Sequence, residues 1–154
     1  METGSLPSHP DRGQTHLTKT EVDMKYAPLV GRILFAAVFV FFGAGHLTAT
    51  EVMVDGGMVP SFLPFPTFIV IGTGIAIILA GLAIAAGYKT KQAALFLFFF
   101  LLGTSILIWG SGFAAGEQVA TGMFLKDFAL AGAALMIYHF GPGPMSMDAK
   151  NVEE

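Results

Sequence analysis

The sequence predicts an all-α integral membrane protein, a four-helix up-down bundle with both termini cytoplasmic. Three observations carry that prediction. Four apolar segments, roughly 28–47, 66–87, 91–110 and 122–140, run about 19 to 22 residues each, enough to cross a hydrocarbon core of about 30 Å. The 154-residue chain is 54% hydrophobic and only 12% charged, with a mean hydropathy of +0.69. Its basic residues fall almost wholly on one side of the four spans.

The chain opens on a polar stretch, residues 1–27, that contains Pro and Gly and shows no periodicity. It reads as a flexible cytoplasmic tail without the apolar core of a signal peptide, so span one serves as a retained signal anchor. Span one leaves the apolar medium at "GAGHLT" and is followed by the proline-broken loop "VMVDGGMVPSFLPFP", which is expected to fold back over the bundle mouth. In span two, Ala76/Ala80 and Ala83/Gly87 stand at helix-packing spacing, as do Ala129/Ala133 in span four. The turn "GYKTKQ" joins spans two and three as an antiparallel hairpin. The bulky run "LFLFFFLL" of span three divides between lipid and core. Residues 28–148 thus form one membrane domain, and 149–154 a C-terminal tail.

Orientation follows from charge. Arg12, Lys19, Lys25, Arg32, Lys89, Lys91 and Lys150 share one side, and Lys126 alone is on the other. The positive-inside rule makes the first side cytoplasmic. Tyr26, Tyr88 and Tyr138 fall at the predicted inner boundary and Trp109 at the outer one, where amphipathic rings prefer headgroups. The expected location is the inner (plasma) membrane of a bacterial or archaeal cell, with the lipid bilayer as the first partner.

Composition removes several functions. A net charge of −3 without a basic run argues against nucleic acid. The absence of cysteine excludes disulfides, thiolate-held iron–sulfur clusters and c-type haem attachment within the chain. "GTGIAI" lies inside a span with no strand before it, so it is not a dinucleotide fingerprint.

The chemistry-bearing residues gather at the span ends. Read this way, the span centres carry no Asp, Glu, Lys, Arg or His, which disfavours a charge-driven transporter. Thr73, Thr104 and Ser105 are interior hydroxyls expected to bond back to their own helices. At the outer face, His46, Glu51, Lys126 and Asp127 form a candidate ligand or partner site. The competing reading makes His46 a polar helix end and Lys126–Asp127 a snorkelling pair about a turn inside span four. At the inner face, Arg32, His139 and Asp148 form a candidate structural site. Arg32 meets either lipid phosphate or the carbonyls and Asp148 of "GPGPMSMD", in the second case locking the C-terminus under the bundle.

No intrinsic cofactor is expected. His46 and His139 lie at opposite ends of the bundle, about 30 Å apart, and cannot share one haem iron. A soft-metal alternative groups His46, Met53, Met58 and Met123 around copper(I). Zinc lacks the ligands it needs.

Taken together, the stretches "GRILFAAVFVFFGAGHL", "MVPSFLPFP", "GLAIAAGYKTKQAAL" and "GPGPMSMD" resemble the DoxX family of small four-helix membrane proteins over residues 31–148. The resemblance implies association with membrane redox systems, including a thiosulfate:quinone oxidoreductase subunit and complexes with superoxide-detoxifying and sulfur-transfer enzymes. It also implies an acidic residue early in span two, where "FIVIGTGIAIIL" has none. The expected function is a subunit or partner of a membrane-associated redox or stress-response assembly, with protein partners and a homodimer as expected associations. Two alternatives stand beside it: a quinone-binding oxidoreductase subunit, with quinone held near His46 or Arg32, and a protein that binds or passes a lipid or neutral small molecule.

Overall fold

A computed structural model describes residues 14–150, with side chains described for 26–149. The rest of the expected tails, residues 1–13 and 151–154, lies outside the described residues, as do the side chains of Arg12, Lys19, Lys25 and Lys150. The described chain is helical without a strand, and four of its helices are long and apolar enough to cross a membrane: Tyr26–Thr48, Pro66–Ala86, Thr90–Ala114 and Gln118–Phe140. This is the four-helix membrane architecture that the hydropathy pattern predicts.

Helix α1 runs Gln14–Thr48 and therefore begins inside the polar stretch that composition assigns to a tail. Residues 14–27 contain neither Gly nor Pro, so nothing local stops the helix from extending beyond the apolar segment. After a bend at Ala49, α2 (Thr50–Asp55) prolongs α1. Helical hydrogen bonds carry across the bend, from Ala49 N–H to Gly45 O at 2.9 Å and from Met53 N–H to Ala49 O at 3.0 Å. The proline-rich loop then returns the chain to α3 (Pro66–Ala86), which starts with proline in the first turn, where a missing N–H costs nothing.

Helix α3 ends at Gly87, whose φ of 71° is one that residues with a Cβ seldom adopt. Gly87 N–H donates to Ile84 O at 3.1 Å and Tyr88 N–H to Ala83 O at 2.9 Å, which satisfies carbonyls the helix leaves open. Helix α4 (Thr90–Thr104) follows after three residues, then a π-helical turn (Ser105–Trp109) and α5 (Gly110–Ala114) in one continuous span. Helix α6 (Gln118–Phe140) and the short α7 (Met147–Lys150) complete the chain. The three-residue turns leave consecutive spans no course but antiparallel.

The helices pack as two close pairs. α1 lies along α3 and α4 along α6, the α3–α4 approach is smaller, and α1 and α6 have no extended backbone approach. Small residues explain the first pair. A Cβ on Gly74 would stand 2.7 Å from the His46 Cβ, and one on Gly81 only 3.1 Å from the Ala36 carbonyl oxygen. In lipid, where apolar burial gives helices no reason to associate, such close backbone contact is what holds them together. In α6 the packing residues are Ala131 and Ala134, both essentially buried, while Ala129 of the expected small-residue pair faces outward. The core between the pairs is built on Phe39, Ile77, Ile84, Leu97 and Leu101.

Candidate functional site

Helices packed as two pairs leave a space between the pairs. A cavity of about 500 Å³ opens there, toward the α2 end of the bundle. Its wall is apolar: Phe39 and Phe42 from α1, Val70 and Ile77 from α3, Phe100 and Ile108 from the third span, Leu130 from α6. Met58, Val59, Pro60 and Leu63 of the returning loop cover one side, as the loop's prolines predict. Two hydroxyls reach the wall and both are spent on their own helices, Thr73 on Ile69 O at 2.8 Å and Thr104 on Phe100 O at 2.9 Å. The π turn also brings Trp109 to the wall.

The polar groups left to a ligand among the described residues are His46, Lys126 and Asp127, with the indole N–H of Trp109 beside them. The first three line the cavity from the facing helices α1 and α6. His46 Nδ1 lies 2.8 Å from the Phe42 carbonyl oxygen, which can only accept, so Nδ1 carries the proton in that bond. Lys126 Nζ lies 3.0 Å from an Asp127 carboxylate oxygen and 4.1 Å from the centre of the Phe42 ring. Phe42 therefore touches both sides of the site: its carbonyl orients the imidazole and its face holds the ammonium.

These residues lie deeper than their sequence context suggests. α6 begins at Gln118, four residues before the expected start of span four, so Asp127 is its tenth residue and stands about 13 Å inside that end of the helix. His46 is level with Gly74, the ninth residue of α3 and about 12 Å inside. α2 prolongs the helix beyond the apparent exit at "GAGHLT", although the apolar span itself ends at Thr48. For Lys126 and Asp127, the ninth and tenth residues of the 23-residue span Gln118–Phe140, the expectation that the span centres carry no ionisable residue is corrected; His46 stays near the end of its span, as expected. "QVAT" is too polar to score as hydrocarbon, yet it forms the first turn of α6. The Asp127 side chain is 4% exposed and that of Lys126 35%, so the pair is embedded at the acid and open at the base.

Glu51 does not join the site; it is exposed on α2 and absent from the cavity wall. Met53, Met58 and Met123, the soft donors grouped with His46, all reach the wall. Among the described residues no three His, Cys, Asp or Glu side chains stand together as a metal group.

At the opposite end, the structure brings Arg32 to Met145 and Asp148 to the turn before α4. Arg32 is 3% exposed, and Nη2 donates to the Met145 carbonyl at 3.1 Å, while Nε and Nη1 are buried without an acceptor. Met145 holds a φ of 62°, in the left-handed region that favours glycine. The Asp148 carboxylate accepts from Lys89 N–H at 2.8 Å and Thr90 N–H at 2.9 Å, capping α4 from a distant part of the chain. Burial pushes the Asp148 carboxyl up, but the amides of Thr90 and Lys89 and the charge of Arg32 hold it below the ordinary carboxylate value. Gly87 is the pivot, since a Cβ there would run into Arg32 Nη1 and the Ser146 Cβ. His139 stands apart, exposed and edge-on to Phe140.

Comparison with known proteins gives this architecture a family. The profile of the DoxX family matches residues 27–110, more than half of the chain. The chain belongs to the DoxX family. This DoxX protein is also similar to Inner membrane protein YqjF of Escherichia coli (strain K12), at 36% identity over 123 residues that cover 78% of this chain and 88% of the relative. Inner membrane protein YphA of the same organism is 27% identical over 124 residues, covering 79% and 88%. No solved structure matches the chain.

Proposed function

We propose that this DoxX protein is an inner-membrane subunit that binds a membrane quinone in the cavity between its helix pairs, serving a redox assembly whose electron carriers sit in other chains. One observation carries the reading: an apolar cavity of about 500 Å³, within reach of the bilayer, with His46, Lys126 and Asp127 as the ionisable groups that line it among the described residues. Ligand sites of that size are mostly apolar, with a few polar groups that fix orientation. A quinone has the matching form, a flat ring with oxygens at its ends and a long apolar tail.

The donor set fits such a head. Lys126 offers N–H donors beyond the one spent on Asp127, and His46 offers Nε2. Phe42, Phe100 and Trp109 supply flat faces for the ring, and the 4% exposure of Asp127 indicates how little water reaches the polar end. When bound, a quinone supplies two-electron, two-proton redox chemistry; the residues of this chain hold its head, orient it and exclude water. The assembly part of the reading is supported by the family resemblance and by the lack of cysteine for thiolate-held iron–sulfur centres.

Positive-inside bias supports an orientation with the Lys89–Lys91 end in the cytoplasm and the cavity toward the opposite face. The test is the quinone content of protein purified in mild detergent. Wild type is expected to retain quinone. Gly103→Phe, which fills space at a cavity-lining residue with nothing within 4 Å of its Cβ position, is expected to lose it. Equal quinone in both, or none in either, overturns the reading.

A further inference from the structure

We infer that His46 makes the cavity selective for the reduced, hydroxyl-bearing form of its ligand over the oxidised, carbonyl-bearing form. The inference rests on the quinone reading above and goes beyond it to the redox state that the site holds.

Donors and acceptors decide the preference. The Phe42 carbonyl can only accept, so at 2.8 Å it fixes the imidazole proton on Nδ1. In the neutral ring Nε2 is then a lone-pair acceptor. A quinol hydroxyl donates to that lone pair, and its oxygen still accepts from Lys126. A quinone carbonyl presents only lone pairs. It is satisfied by Lys126 but leaves Nε2 facing another acceptor inside an apolar cavity, and an unmet polar group there costs more than a formed bond returns.

The other polar groups on the wall do not reverse this preference: the Trp109 indole N–H is a donor, and an oxygen of either form accepts from it equally. The loop and α2 contribute methionines, a valine, a proline and a leucine, and α3 and the third span contribute Thr73 and Thr104, both already bonded to their own helices. Among the described residues Asp127 is the other charged acceptor on the wall, and Lys126 engages it at 3.0 Å; the Thr73 and Thr104 oxygens keep lone pairs that favour a hydroxyl in the same sense. His46, Lys126 and Asp127 are therefore the only titratable groups facing the ligand. Phe42 acts as a positioning residue for two of them.

Trp109, the sole tryptophan of the chain, lines the cavity and reports on binding. The experiment titrates the full-length protein in detergent, anaerobically and at mildly alkaline pH, with decyl-benzoquinol and with decyl-benzoquinone, reading Trp109 fluorescence. Wild type is expected to bind the quinol roughly tenfold more tightly, the scale of one unmet buried acceptor. In His46→Phe the ratio is expected to fall to about one, and in Lys126→Met both forms weaken while the ratio persists. Should His46→Phe misfold, His46→Gln gives the same comparison, because its amide serves donor and acceptor alike. Equal affinity for the two forms, or preference for the quinone, overturns the inference while the quinone reading stands. Binding of neither form overturns both.

Discussion

Asp148 closes the N-terminus of α4 from more than fifty residues away, and its carboxylate does so only while ionised. Its folded-state pKa lies below the ordinary value, so its contribution is complete above the unfolded-state pKa, about 3.9, and is lost as pH falls through the lower folded value. Asp148→Asn is expected to cost roughly 1 kcal/mol near neutral pH, as loss of a helix cap does, and to flatten the acid limb of the stability curve. Thermal midpoints in detergent from neutral pH down to about pH 3 measure both effects. Arg32 works on the same segment through the Met145 carbonyl. Arg32→Ala removes a charged hydrogen bond worth about 1.5 kcal/mol or more, so proteolysis within residues 141–149 is expected to accelerate roughly tenfold or more. Unchanged cleavage would show that the guanidinium does not hold the C-terminal segment.

At the scale of elements, the α1–α3 contact decides where His46 stands. Gly74→Ala places a methyl group 2.7 Å from the His46 Cβ, which cannot swing aside as a flexible side chain would. A loss of roughly 1–3 kcal/mol is expected, together with weaker ligand binding. Gly132→Ala is the control: nothing lies within 4 Å of its Cβ position, and it should be neutral or slightly stabilising. Chemical denaturation of the two variants in detergent separates the outcomes.

The same elements show what could be read from the sequence. Four spans were legible because each is a long apolar run, and His46, Lys126 and Asp127 were legible because ionisable residues are scarce beside such runs. Their depth was not. "TEVMVD" reads as loop but forms α2, and "GSGFAAGEQVAT" looks too polar for a span yet extends the third helix to Ala114 and starts α6 at Gln118. The part played by Phe42 had no distinct signal either. Its position four residues before His46 permits the carbonyl contact, but the ammonium on its ring comes from a helix more than eighty residues along the chain.

As a whole, the molecule is two close helix pairs with a cavity between them, and its proposed use depends on which way that cavity faces. The native chain has no cysteine, so single cysteines report orientation cleanly. Ser61→Cys and Gln92→Cys occupy exposed positions at opposite ends. In intact spheroplasts an impermeant maleimide is expected to label the first and spare the second, and in inverted vesicles the pattern should reverse. Labelling of Gln92→Cys alone in spheroplasts would turn the molecule over. The central claim is the occupant of the cavity, and photolabelling with an azido-quinone, mapped by mass spectrometry, tests it most directly. The account predicts adducts on cavity-wall residues such as Phe42, Trp109 and Met123, suppressed by excess quinone and absent in Gly103→Phe. Adducts confined to outward-facing residues such as Phe41 and Leu135, or equally strong in Gly103→Phe, would contradict it.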